Sequence, residues 1–266
     1  MKISYGKNVY GKEEINAVIN KLKKTTHMGS AVTNFENKIA RLFSKKYGLM
    51  VNSGSSALTL ATNVLNFKKG DEIITPCLNF GTAVSSIILS GATPVLVDIE
   101  IESLQIDIDK IEKKITKKTK AMLIPNLIGN IPDWKKIKNI AKKYKLKIIE
   151  DSADTIGSKY KKGTTGEISD FVTTSFYGSH VITCGGFGGM ICTNHIELYK
   201  RSKLLQGWGR NSTLDQDSEM IDKRFDQSVD GITYDAKFIF SESPLLPSTF
   251  AHVTLHKNVH LLLLYV

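Results

Sequence analysis

Apolar residues recur at three- and four-residue intervals from Glu13 to Leu22 and again from Val32 to Tyr47, where Phe35, Ile39, Leu42 and Phe43 share one face. This period predicts two amphipathic helices separated by a break at Met28-Gly29. Leu49 to Asn52 reads as a short buried strand that runs into Ser53-Gly54-Ser55-Ser56, a tight turn, and then into a helix from Ala57 to Leu65. Glu72 to Thr75 and Thr93 to Val97 are strand-like, with a buried helix from Val84 to Leu89 between them that Gly91 closes. Ala121 to Pro125 and Lys147 to Glu150 continue the series across a helix from Trp134 to Tyr144. The repeated unit is β-α-β, which predicts a doubly wound α/β domain around a mostly parallel sheet. Phe171 to Ser175, Val181 to Thr183 and Gly189 to Cys192 are expected as further strands, joined by turns around Gly178 and Gly185-Gly186, before a helix from Glu197 to Gln206. Past Phe240 the periodicity lapses, and the sequence closes on an apolar run, Leu261 to Val266. The expectation is one large domain over 1–240, with an N-terminal helical segment over 1–48, and an anomalous tail over 241–266 that is truncated or frameshifted.

Composition narrows the class. The 266 residues are 41% hydrophobic and 23% charged, which excludes a disordered or collagen-like chain. The Leu261 to Val266 run falls far short of the roughly 18 residues that cross a bilayer, and Met1-Lys2-Ile3-Ser4 leads into polar sequence rather than a signal-peptide core. A soluble, cytoplasmic protein without a membrane partner is expected. Cys77, Cys184 and Cys192 lack C-x-x-C spacing, so they read as reduced packing residues rather than a disulfide framework or zinc ribbon. The excess of 36 Lys+Arg over 26 Asp+Glu invites a nucleic-acid partner. The lysines, however, concentrate at 21–24, 110–120 and 135–147 among isoleucines and leucines, as on the wet faces of amphipathic helices. An anionic small molecule is the better partner, and nucleic acid is not expected.

Three motif-like stretches carry little. Gly6 to Glu13 approaches a phosphate-binding P-loop, but Glu13 stands where a metal-binding hydroxyl belongs and no strand precedes it. Gly185 to Gly189 lacks the G-x-G-x-x-G spacing and reads as a hairpin turn. His252, His256 and His260 could share a helix face as metal ligands do, but they lie in the anomalous tail, and no metal site is expected.

Three other features cohere around a phosphorylated aromatic ligand. Ser53 to Ala57 offers hydroxyls and backbone N–H groups at a helix start, where the macrodipole favours an anion. Ile148-Ile149-Glu150-Asp151 is an apolar strand ending in two carboxylates, at the strand end where α/β sheets bind ligands. A carboxylate there can keep a ring nitrogen protonated, although a helix cap or a salt-bridged strand end has the same sequence. Thr174 to His180 adds hydroxyls and an imidazole on a following loop.

Taken in this order, the segments resemble the DegT/DnrJ/EryC1/StrS family of pyridoxal-phosphate sugar aminotransferases and their dehydratase relatives, over about Tyr5 to Phe240. The resemblance rests on collinear blocks such as Gly70 to Pro76, Gly91 to Val95, Val97-Asp98-Ile99, Glu150 to Asp154, Ser175-Phe176 and Gly207 to Asn211. It implies an aspartate-aminotransferase-like large domain of fold type I, with the family's small C-terminal domain missing here. It also implies pyridoxal or pyridoxamine 5′-phosphate as cofactor. By position, Asp151 matches the aspartate on the ring nitrogen, Phe80 the aromatic on the ring face, Ser55 and Ser56 the phosphate-binding turn, and Ser175 a serine that reaches the phosphate.

The discriminating position is His180. In the aminotransferases a lysine five residues after the Ser-Phe serine forms the Schiff base, and that count from Ser175 lands on His180; no lysine lies between Lys162 and Lys200. Imidazole forms no stable imine but titrates near neutrality, which suits a catalytic base. Histidine here resembles the smaller branch of nucleotide-linked 4-keto-6-deoxyhexose 3-dehydratases, which make 3,6-dideoxysugars. Asp154, where aminotransferases often carry glutamine, agrees with that branch and is counted among the cofactor-binding residues. The resemblance thus implies a lyase-type enzyme of surface-polysaccharide synthesis that uses a nucleotide-sugar substrate and acts as a homodimer when full length, with its product released either by hydrolysis or by an external reductase partner. The alternatives are a nucleotide-sugar aminotransferase with its lysine elsewhere, or an inactive truncated remnant. One departure is local: the expected Gly-Glu-Gly-Gly turn reads Gly185-Gly186-Phe187-Gly188-Gly189, without the acidic residue.

Overall fold

The computed structural model describes residues 9–24, 29–207, 209, 211–214, 227–229 and 232–234. The 241–266 tail with its three histidines, Trp208, Arg210 and the start of the Gly6 to Glu13 stretch lie outside the described residues. In chain order the elements are α1 (Lys12–Lys24), α2 (Ser30–Leu42), β1 (Tyr47–Val51), α3 (Gly54–Val64), β2 (Glu72–Pro76), α4 (Gly81–Leu89) and β3 (Thr93–Val97). There follow α5 (Ile108–Lys114), β4 (Thr119–Pro125), α6 (Trp134–Tyr144) and β5 (Lys147–Asp151). The small hairpin β6 (Lys159–Tyr160) and β7 (Gly163–Thr164) precedes β8 (Phe171–Ser175), β9 (Gly189–Thr193) and α7 (Ile196–Gln206). A second small hairpin joins β10 (Gln227–Val229) to β11 (Ile232–Tyr234).

Seven strands form one sheet in the order β1-β9-β8-β5-β4-β2-β3. β9 runs antiparallel to both β1 and β8, whereas the remaining neighbours pair in parallel. The expected α/β architecture with a mostly parallel sheet is the one observed. Apart from the edge strand β3, its strands are apolar on both faces because helices cover both. Alternate residues serve opposite cores: Ala121 and Leu123 of β4 pack with Leu60, Ala61 and Ile87 of α3 and α4, while Met122 and Ile124 pack with Trp134 and Ile137 of α6 and Ile111 of α5. A third cluster sets Phe35 and Ile39 of α2 against Met50, Val172 and Met190.

Several expected elements shift. The helix read from Val32 to Tyr47 stops at Leu42, because Ser44 takes a left-handed conformation (φ 53°) and the chain turns to start β1 at Tyr47. That turn draws Lys45 inside, where its ammonium donates to the Ser169 carbonyl at 2.5 Å and burial pushes its pKa down. The helix read from Ala57 begins at Gly54, so the Gly/Ser turn is itself the first helical turn. Val181 to Thr183 is not a strand: β8 and β9 pair directly, Ser175 opposite Gly189, which leaves residues 176–188 as the connection between them. Within it Cys184 and Phe187 bridge across Gly185-Gly186, the hairpin turn expected there. α1 forms as expected, yet none of its residues is buried, and Ile15, Ile19 and Leu22 stay exposed. Cys184 and Cys192 are buried packing residues, with burial pushing the Cys184 thiol up to about 12 and that of Cys192 up as well, whereas Cys77 is exposed. Among the described residues, no helix is long and apolar enough to cross a membrane.

Candidate active site

The carboxyl ends of β1, β2, β4, β5 and β8 lie at one edge of the sheet, and the segments leaving them enclose a cavity of about 610 Å³. Parallel strands deliver their following loops to the same edge, so residues distant in sequence meet there. Ser55, Phe80, Asp151, Asp154, Ser175 and His180 all line this cavity.

α3 supplies one end. Ser53 caps it by accepting from the Ser56 N–H at 3.1 Å, which leaves other N–H groups of the first turn without intrahelical partners. Ser55 donates its hydroxyl to Thr82 at 3.2 Å and so ties the start of α3 to that of α4. A Cβ on Gly54 would lie 2.7 Å from the Ser175 Cβ, so glycine at 54 is what brings the helix start against the end of β8. The result is a small, hydroxyl-lined, dipole-favoured recess that fits a phosphate. Ser56 is the exception among the expected residues: it is buried inside the capped turn, its hydroxyl accepts from Ser53, and it does not line the cavity.

Phe80 stands at the mouth, 65% exposed. Asn79 fixes its backbone by accepting from the Phe80 N–H at 2.8 Å while donating to the Thr75 hydroxyl at 2.9 Å. An aromatic ring held open at a cavity rim is suited to cover a planar ligand.

Asp151 lies at the end of β5. Its neighbour Glu150 points into the opposite layer and accepts from Asn126, Ser152 and the Gly166 N–H at 2.8–3.0 Å. Asn126 in turn accepts from the Trp134 indole at 2.9 Å, and its own N–H donates to the Asp151 carbonyl at 2.8 Å, so the strand ends are locked together. Burial pushes the Asp151 carboxyl up to about 6, with nearby Asp154 adding to the rise, while the Ala153 N–H and His180 oppose it. A carboxylate raised by desolvation gains most from a cationic N–H placed against it, as a protonated ring nitrogen would be.

His180 and Asp154 form a pair, with Nδ1 3.3 Å from Oδ1. His180 beside it and the Ile128 N–H, which donates to Oδ2 at 3.0 Å, hold the Asp154 carboxyl below its ordinary range against the cost of burial. With Nδ1 turned to the carboxylate, Nε2 is the nitrogen left for chemistry. Ser53, from the expected turn, lines the cavity as well, as do Tyr177 and Phe187, to which the sequence assigns no role; Tyr177 packs edge-on to both His180 and Phe187 at 6.3 Å. The signal for Tyr177 and Phe187 is the connection between β8 and β9, whose length exceeds a turn. No lysine lines the cavity among the described residues.

A mostly parallel sheet with one reversed strand, and a phosphate recess, a buried carboxylate and an exposed ring at its carboxyl edge, define a large domain of the aspartate-aminotransferase-like, fold type I class. Residues 8–230 match the DegT/DnrJ/EryC1/StrS aminotransferase family, and the chain belongs to it. It is 41% identical over 181 residues to GDP-perosamine synthase of Escherichia coli O157:H7, covering 68% of this chain and 50% of that protein. To dTDP-4-dehydro-2,6-dideoxy-D-glucose 3-dehydratase of Saccharopolyspora spinosa it is 34% identical over 224 residues, covering 80% of this chain and 48% of that one. Among solved structures, a GDP-4-keto-6-deoxymannose-3-dehydratase with a trapped PLP-glutamate geminal diamine superposes with a TM-score of 0.74 at 31% identity, over 79% of this chain and 56% of that one. The chain spans about half the length of the curated relatives it matches. Pyridoxal phosphate, or its amine form, is the cofactor of this family.

Proposed function

We propose that this chain carries the cofactor site of a 3-dehydratase that removes the C-3 hydroxyl of a nucleotide-linked 4-keto-6-deoxyhexose, as a step toward a 3,6-dideoxysugar of a surface polysaccharide. The observation that carries this reading is His180, an imidazole paired with Asp154 on the cavity wall, at the position where the resemblance puts the Schiff-base lysine of the aminotransferases. The cofactor, when bound, supplies an electron sink beside the sugar's C-4. Ser55 and Ser175 hold its phosphate together with the first-turn N–H groups of α3, Phe80 covers its ring, and Asp151 keeps the ring nitrogen protonated. His180 does the proton work: Nε2 takes a proton as general base and returns one to the departing C-3 hydroxyl as general acid. Asp154 fixes the ring for both steps and stabilises the imidazolium between them. Exposed apolar side chains around α4 and the edge strand β3, among them Leu78, Ile88, Leu89 and Leu96, support pairing with a second copy of the chain.

A second reading, sugar aminotransferase, is favoured by the names of several relatives, GDP-perosamine synthase among them. The two separate in one assay. The protein is given pyridoxamine phosphate and a nucleotide-linked 4-keto-6-deoxyhexose, and the sugar is followed by mass spectrometry. Loss of the C-3 hydroxyl, reduced at least about a hundredfold in His180→Ala, is the expected result. Amine transfer to C-4 with the hydroxyl retained would establish the second reading instead.

A further inference from the structure

We infer that the turn from Leu127 to Asn130 is a positioning element, acting through the backbone N–H of Ile128 to hold the Asp154–His180 pair. Ile128 has φ 51° and ψ 29°, the left-handed region, which a β-branched side chain rarely enters. Burial does not repay this conformation, because the side chain is 65% exposed. Such an outlier persists where its surroundings over-determine it, and outliers of this kind cluster at functional sites.

The surroundings here are specific. Gln105, buried, donates to the Leu127 carbonyl at 3.3 Å, Asn130 donates its side-chain amide to the Ser103 carbonyl at 2.9 Å, and the Asn130 N–H closes the turn on the Leu127 carbonyl at 3.0 Å. Leu104, between the two anchoring residues, is itself left-handed at φ 58°. Two tight loops thus brace each other, and what the bracing delivers is the Ile128 N–H, 3.0 Å from Asp154 Oδ2. The other carboxylate oxygen, Oδ1, faces His180 Nδ1 at 3.3 Å. With both oxygens engaged the carboxylate cannot rotate, and the imidazole it faces is held with Nδ1 toward Asp154 and Nε2 outward.

The inference rests on the proposed dehydratase reading only for what His180 then does with its proton. Its test therefore reads the pair itself. Replacing Ile128 by its α-hydroxy acid turns the amide into an ester and deletes the N–H alone, while Ile128→Gly keeps the N–H and removes the Cβ. The Asp154 carboxyl is titrated by carbon NMR, and the His180 tautomer is read by nitrogen NMR. The ester should raise the Asp154 pKa and lower the share of the Nδ1–H tautomer, and Ile128→Gly should do neither. An ester that leaves both unchanged overturns the inference, as does an Ile128→Gly variant that moves both as far as the ester does. If the ester moves both in a chain that removes no C-3 hydroxyl from the nucleotide-linked sugar, the positioning role stands and the dehydratase reading fails.

Discussion

Asp151 shows most directly how a single side chain registers its surroundings. Burial raises its carboxyl from an ordinary 3.8 to about 6, so between those values the folded chain keeps a proton that the unfolded chain has released. Stability of the cofactor-free chain should therefore fall as pH rises from about 4 to about 6 and level off above that, by roughly 3 kcal/mol at most. Asp154, held below its ordinary range, acts in a different window: its contribution is present above about pH 4 and is lost as pH falls further. Thermal melts across this range on the native chain and on Asp151→Asn should show the upper slope removed in the variant, and an equal slope in both would mean that Asp151 is solvated. Asp151, Ser175 and His180 were legible in the sequence because each sits at or just past the end of an apolar strand, and strand ends converge at one edge of a parallel sheet. Ser56 does not line the cavity because helix α3 starts inside the Gly/Ser run, which turns its side chain inward. The left-handed Ile128 had no sequence signal, since its conformation is imposed by Gln105 and Ser103 from a separate loop.

Between elements, the contact that shapes the site is α3 against β8. Gly54→Ala would set a Cβ 2.7 Å from that of Ser175 and push the helix start off the strand. The expected cost is about 1–3 kcal/mol of overpacking, read as a lower urea midpoint, together with weaker binding of pyridoxamine phosphate. An unchanged midpoint and affinity would show that the recess has slack. The strands β1, β2, β4 and β5 were readable because both faces are buried and their apolar runs are bounded by Gly, Asp or Asn. Val181 to Thr183 misled because its β-branched residues have strand propensity, while the direct pairing of β8 with β9 gives them no neighbour to join. Exposure along α1 was likewise invisible to its period, which reports an apolar face but not what lies against it.

At the scale of the whole molecule, the family, the fold and the cavity agree, and the choice between dehydratase and aminotransferase turns on whether a covalent cofactor linkage forms. Many of the lysines that give the chain its net charge of +10 lie on helices, and none lines the cavity among the described residues. The measurement that tests this most directly is borohydride reduction of the protein mixed with pyridoxal phosphate, followed by peptide mapping of phosphopyridoxyl groups. The native chain should carry no stoichiometric, phosphate-competed label on any lysine, and His180→Lys should acquire one at position 180. A single lysine of the native chain labelled stoichiometrically, and protected by inorganic phosphate, would contradict the account and assign the site to an aminotransferase.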